Sequence, residues 1–345
     1  MNATIAFAAG AGAFVISYTV IVPLKRWALR WGLTDRPSAK KAHARPTPYL
    51  GGIAIKLGML VPAVAVLGFA DQRITAILLA AMAIGLVGLI DDVRPLQPFT
   101  KLTVETVAAS GVVSSGVQIT LIGGWLDGSL TMLWIVVMAN SFNLLDNMDG
   151  ALGAVAMVTA AFLAGTAFVS GEPSLGLILI VLACTSLGFL PHNWAPAKIF
   201  MGDSGSLFIG FVLACSAVLL VSGQSPEATI VGLLLPTFVA TVDTGVVFLS
   251  RVRAGRSPLV GGTDHVSHRL RGMGLRTRAV AVVLGLTAAA TGGCYLAMAL
   301  QWISPLATAV VGSGAALLFI SLLQGCGRLR ADRTPKLPET RERRP

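Results

Sequence analysis

The stretch ITAILLAAMAIGLVGLIDD, residues 74–92, decides the architecture. An uncharged run over 74–90 stops at two adjacent aspartates, Asp91 and Asp92. A run of that length can cross the hydrocarbon core of a bilayer as a helix, in which the segment satisfies its own backbone donors and acceptors. Runs of the same kind occupy 3–24, 50–70, 102–121, 129–145, 151–170, 174–190, 204–222, 228–248, 278–298 and 302–324. The chain therefore reads as an all-α polytopic integral membrane protein of eleven transmembrane helices. The count falls to ten if 102–121, rich in Ser, Thr and Gly and carrying Glu105, does not cross. Residues 1–324 form a single membrane-embedded domain, and 325–345 a basic tail with the composition of a disordered segment.

Composition agrees. Hydrophobic residues make up 54% of the 345 and charged residues 12%, where a soluble domain carries about 25% charged. Cys184, Cys215, Cys294 and Cys326 lie in or at the ends of apolar runs without C-x-x-C spacing, which argues against a zinc site or a disulfide framework. The first run has no basic leader and reads as a retained helix rather than a removable signal.

Assigning the connecting segments alternately to two sides places 25–49, 91–101, 143–150, 191–203, 249–277 and the tail together. Of the 26 Lys and Arg, all but Lys56 and Arg73 fall in these segments or at their edges. The positive-inside rule makes that side cytoplasmic, with the N-terminus outside and the C-terminus inside. The formal charge of +10 is spread over short loops with no groove-reading motif, so topology and anionic lipid headgroups account for it and nucleic acid does not.

The 16 acidic residues were not used in that assignment, yet they gather on the same side. Asp91 and Asp92 end one span, Asp146 and Asp149 follow another in NSFNLLDNMDG, and Asp203 opens a third in KIFMGDSGS, while Asp243 lies inside the ninth run. Carboxylates beside a bilayer are costly unless hydrated, paired or bound to cations. A single one can be a helix cap; five at one depth point to a site. Mg2+ is a hard cation held by one or two carboxylates together with substrate phosphates, and Gly202–Ser206 opens a helix whose first N–H groups favour an anion. GGTDHVSHRL adds His265 and His268, three residues apart, followed by Arg269 and Arg271. The first basic loop supplies Lys40, Lys41, His43 and Arg45.

In order along the chain, DRP…KKAHARPTPYLGGIAI, LIDDVRPL, NSFNLLDNMDG, NWAPAKIFMGDSGSLFIG, VDTGVVFLSR and GGTDHVSHR resemble the polyprenyl-phosphate N-acetylhexosamine-1-phosphate transferase family, from about residue 33 to 271. That family includes GlcNAc-1-phosphate transferases and phospho-N-acetylmuramoyl-pentapeptide transferases. The resemblance implies a bacterial plasma-membrane enzyme with its active site facing the cytoplasm. It would transfer a sugar-1-phosphate, GlcNAc-1-phosphate by preference, from a UDP-sugar to undecaprenyl or decaprenyl phosphate, release UMP and so initiate a cell-envelope glycan. Mg2+, with Mn2+ as a substitute, is the implied cofactor, and a homodimer the implied assembly. Residue by residue, it assigns catalytic roles to Asp91, Asp92, Asp149, His265 and His268. Donor and acceptor binding fall to Lys101, Asn143, Asp146, Asn193 and Phe200, and the metal to Asp203 with Asp92; Lys41 and His43 of the first basic loop and Arg269 beside the histidines are read from their own charge as further phosphate contacts. Two departures stand out. Asn147 occupies the place of a common Gly, and GGTDHVSHR lacks the consecutive histidines of the muramoyl-pentapeptide branch, which favours the GlcNAc branch.

Activity of the muramoyl-pentapeptide type is the nearer alternative. A secondary transporter or lipid flippase is the alternative from another class. Transporters place coupling carboxylates near the bilayer midplane, often within repeated halves, whereas these acids collect at one face.

Overall fold

The computed structural model describes residues 3–35, 46–257 and 262–331. Thirteen helices and one two-stranded pair form among them. In chain order these are α1 (Ala3–Arg30), β1 (Thr34–Asp35), β2 (Thr47–Pro48), α2 (Gly51–Leu67), α3 (Gln72–Val93), α4 (Pro98–Ser114), α5 (Trp125–Leu145) and α6 (Ala151–Val169). There follow α7 (Pro173–Asn193), α8 (Gly202–Val221), α9 (Pro226–Leu234), α10 (Phe238–Arg253), α11 (Val266–Gly272), α12 (Thr277–Ala299) and α13 (Pro305–Ala331). The strands pair antiparallel, Thr34 opposite Pro48.

Every apolar run read from the sequence overlaps a helix. Seven of these helices (α1, α3, α5, α6, α7, α8 and α12) are long and apolar enough to cross a membrane, and α9 with α10 make an eighth if counted together. The run 228–248, expected as one span, is two helices bent by 76°. Pro236 lies in the break between them; its ring fixes φ and it offers no N–H to continue the ladder. The segment 102–121 also differs from expectation. Helix α4 starts at Pro98 and ends at Ser114, before Gly116 at φ 93°. Its hydroxyls bond back onto their own helix, Thr103 to Phe99 O at 2.8 Å and Thr106 to Leu102 O at 2.8 Å, which lets polar side chains sit in an apolar setting.

Helix α8 is the axis of the bundle. Its apolar window is entirely buried, and it packs against α2, α3, α5, α6 and α9. Its first turn is gripped by glycines on two neighbours. A β-carbon at Gly88 of α3 would lie 2.5 Å from Asp203 O, and one at Gly52 of α2 would overlap the Gly205 nitrogen. Small residues allow such backbone approach where no hydrophobic force presses helices together. Large apolar side chains, among them Phe7, Phe99, Trp125, Leu133, Trp302 and Val310, face outward, as a lipid-facing surface requires.

Candidate active site

The last turn of α3, the first of α4, the last of α5 and the first of α8 meet at one end of the bundle, and side-chain bonds join them. Lys101 Nζ donates to Asp91 Oδ2 at 3.0 Å and to Asp203 Oδ2 at 2.8 Å. Asn143 Nδ2 donates to Asp203 Oδ1 at 3.0 Å and to Ser206 Oγ at 2.8 Å. Leu96 N–H donates to Asp91 Oδ1 at 2.6 Å, closing the turn between α3 and α4. Two carboxylates from separate helices thus share one cation, here an ammonium, and the same oxygens suit a hard divalent ion. Among the described residues no three His, Cys, Asp or Glu side chains group closely enough to form a metal cage on their own.

Asp92 does different work. Its Oδ1 accepts Asp203 N–H at 2.9 Å and its Oδ2 accepts Ser204 N–H at 3.1 Å. The first N–H groups of α8, expected to be open to a phosphate, are therefore met by a carboxylate of α3. The helix dipole favours this anion as it would a phosphate. Gly202, at φ 66°, permits the approach: a β-carbon there would collide with the Asp92 carboxylate.

The second acidic segment closes over the first. Asp149 Oδ2 accepts Ala197 N–H at 2.9 Å. Asn193 Oδ1 accepts Gly150 N–H at 2.9 Å, and its Nδ2 donates to Ile199 O at 3.0 Å. Phe200 N–H donates to Pro48 O at 2.8 Å, and Phe200 O accepts Gly51 N–H at 2.9 Å. The end of α7, the loop before α8 and the strand β2 are so tied together. Burial pushes the Asp146 carboxyl well above the ordinary carboxylate range. Although the residue keeps some exposed surface, the direction does not depend on its depth, because Asp203, Asp92 and Asp149 push the same way.

The histidine segment arrives from the opposite side of the chain. Rings of His265 and His268 lie 6.1 Å apart, and burial, then the neighbouring His265, lowers the His268 pKa. Ser267 Oγ donates to Asn147 Oδ1, so the two departures from the resembled pattern touch each other and join α11 to the Asp146–Asp149 loop. Arg269 Nε donates to Asp264 O at 3.1 Å. Burial raises the Asp264 carboxyl, but bonds and charge from Arg256, with bonds from Arg251 and Ser250, outweigh it and leave the group below its usual range. Lys41 and His43 lie outside the described residues.

Sequence reading assigned Lys56 no role. It is buried in α2 and donates to Ser204 Oγ at 2.6 Å and Gly85 O at 3.0 Å, fastening the start of α8 from below. A lone lysine in an apolar run was the available signal. Asn140, one turn before Asn143, donates to the buried Glu105 of α4.

The family model for glycosyl transferase family 4 matches residues 74–221, the stretch that carries Asp91 through Asp203. A relative from Streptomyces coelicolor is 38% identical over 279 residues, covering 79% of this chain and 65% of that one. The "Probable undecaprenyl-phosphate N-acetylglucosaminyl 1-phosphate transferase" of Bacillus subtilis is 31% identical over 79% of this chain and 80% of its own length. The "Decaprenyl-phosphate N-acetylglucosaminephosphotransferase" of Mycobacterium tuberculosis is 33% identical over 80% and 78%. With the carboxylate array at the heart of the matched region and relatives aligned over most of their length, the chain belongs to glycosyl transferase family 4.

Proposed function

We propose that the protein transfers GlcNAc-1-phosphate from UDP-GlcNAc to a polyprenyl phosphate, giving polyprenyl-diphosphate-GlcNAc and UMP. The observation that carries this reading is the Asp91–Lys101–Asp203–Asn143 array, in which carboxylates from two helix ends converge on one cation position and an amide from a third holds one of them. The names of the Bacillus and Mycobacterium relatives support both the acceptor and the sugar.

In this reading an acceptor phosphate oxygen attacks the donor's β-phosphorus, and the bond to the UMP oxygen breaks. A phosphate monoester has its second pKa near about 6, so the acceptor is largely ionised at neutral pH. Positioning and charge neutralisation are therefore the main requirements. Lys101 offers a point charge to the phosphates, while Asp92 and Lys56 hold the first turn of α8. Asn193 and Phe200 would bound the donor's uracil, and His265, His268 and Arg269 would face its diphosphate. Asp203, with Asp91 as its partner, would hold Mg2+, which when bound neutralises charge developing on the transferred phosphoryl group.

The excess of Lys and Arg at the loops around the array supports a cytoplasmic site in a bacterial plasma membrane, with the N-terminus outside and the C-terminus inside. The eleven-span topology draws its support from the eleven apolar runs. The test is to supply purified protein in detergent with polyprenyl phosphate, Mg2+ and a panel of UDP-sugars while following UMP. Release with UDP-GlcNAc is expected, and release with another UDP-sugar only would reassign the donor.

A further inference from the structure

Asp243 takes no part in the transfer chemistry proposed above, yet among the described residues it is a fully enclosed acidic group. It sits on α10, beyond the 76° break, with no exposed surface. Both its oxygens are used. His265 Nδ1 lies 2.7 Å from Oδ2, and Val266 N–H donates to Oδ1 at 2.7 Å. The carboxylate of one helix thus fixes an imidazole and meets the first N–H of another.

Helix α11 has seven residues, too few to be stable alone in water. Its place therefore comes from its anchors. Asp264, just before the N-cap residue His265, is bound back to α10 by Arg251 Nε at 3.4 Å and Ser250 Oγ at 3.3 Å, with Arg256 at 2.8 Å just beyond that helix. On the other side Ser267, fully buried, donates to Asn147 in the acidic loop. A carboxylate at Nδ1 also sets the chemistry of the ring. It accepts Nδ1–H, which leaves Nε2 as the nitrogen turned to a ligand.

We propose that Asp243 is a positioning residue for the transfer reaction: from inside the bundle it orients His265 and caps α11, presenting the histidine pair and Arg269 to the donor's diphosphate. This rests on the function proposed above. The two tasks separate by substitution. In Asp243→Asn the amide oxygen can still accept Val266 N–H, but the amide nitrogen must donate to Nδ1. The ring proton is forced to Nε2 and the negative charge is lost. In Asp243→Ala both donors lose their acceptor.

The experiment pairs steady-state UMP formation with hydrogen exchange over 262–272, both on the full-length protein in detergent. Asp243→Asn is expected to keep α11 protected and the donor KM near the wild-type value while kcat falls by about 10- to 100-fold, the scale known for losing the carboxylate partner of a metal-bound histidine. Asp243→Ala is expected to lose both protection and activity. An active wild type with fully active Asp243→Asn would make Asp243 a structural pin and overturn the proposal alone. Unchanged protection in Asp243→Ala would overturn the capping role. A wild type that forms no UMP with any UDP-sugar would overturn the functional reading, and this proposal with it.

Discussion

Lys101 lies between Asp91 and Asp203, where the proposed transfer calls for positive charge, and its removal tests whether that position matters. Lys101→Met is expected to lower kcat/KM by about 10²- to 10³-fold, the scale of deleting one donor from a preorganised charge-stabilising site. Asp146 makes a prediction of the opposite kind. Its carboxyl is held above the ordinary range, so the folded protein keeps a proton that the unfolded chain releases. Stability must then fall as pH rises from the usual carboxylate range through the raised value. Asp146→Asn removes that cost and should raise the melting temperature of the metal-free protein, by about 2 °C or more at pH 8 and by less at pH 5, while reducing UMP formation. A melting curve unmoved at pH 8 would show that the crowding of Asp146 with Asp203, Asp92 and Asp149 is absent. Most of these residues were legible in the sequence, since carboxylates at span ends are rare enough to stand out. The division of labour within Asp91–Asp92 was not, because adjacent residues on a helix point about 100° apart and only the packed neighbours decide which one meets α8.

At the scale of elements, the first turn of α8 is the part on which the site depends, and three residues of two neighbouring helices, α2 and α3, hold it. Asp92 caps its N–H groups, Lys56 binds Ser204, and Gly88 lets α3 touch the Asp203 backbone. Gly88→Leu should therefore displace Asp203 and abolish activity while the protein still inserts; turnover near the wild-type rate would refute this close contact. Lys56→Met, which removes a charged donor of two buried bonds, should cost about 2 kcal/mol of stability, read as a fall in thermal midpoint. Gly88 and Lys56 were visible in the sequence only as a small residue and an oddity in apolar runs, because helix–helix approach is a property of pairs of segments. The break between α9 and α10 is different. Pro236 was visible, but whether a proline kinks a span or ends it depends on what the freed backbone groups meet, and that is set by packing.

For the whole molecule, apolar runs and charge in the sequence pointed to a helical membrane architecture; among the described residues the structure is mostly helical, with one two-stranded pair and seven or eight helices apolar enough to cross, and it shows where the two ends of the bundle lie relative to the site. The ion pair of Arg73 with Glu172, at 3.0 and 3.2 Å, marks the end of the bundle opposite the carboxylate array, since Arg73 opens the helix that Asp91 and Asp92 close. In a cysteine-free background, Ser170→Cys is expected to react with a membrane-impermeant maleimide in intact cells and Arg94→Cys only after the membrane is opened; the reverse labelling would invert the orientation. If Asp203 and its partners form a metal-assisted phosphoglycosyl transfer site, as proposed, UMP release must depend on both the metal and that carboxylate. With polyprenyl phosphate, UDP-GlcNAc and Mg2+, the folded wild-type protein should form UMP and the lipid-linked sugar, with both lost on adding EDTA or in a folded Asp203→Asn variant. Metal-independent turnover, or near-normal turnover by Asp203→Asn, would contradict it.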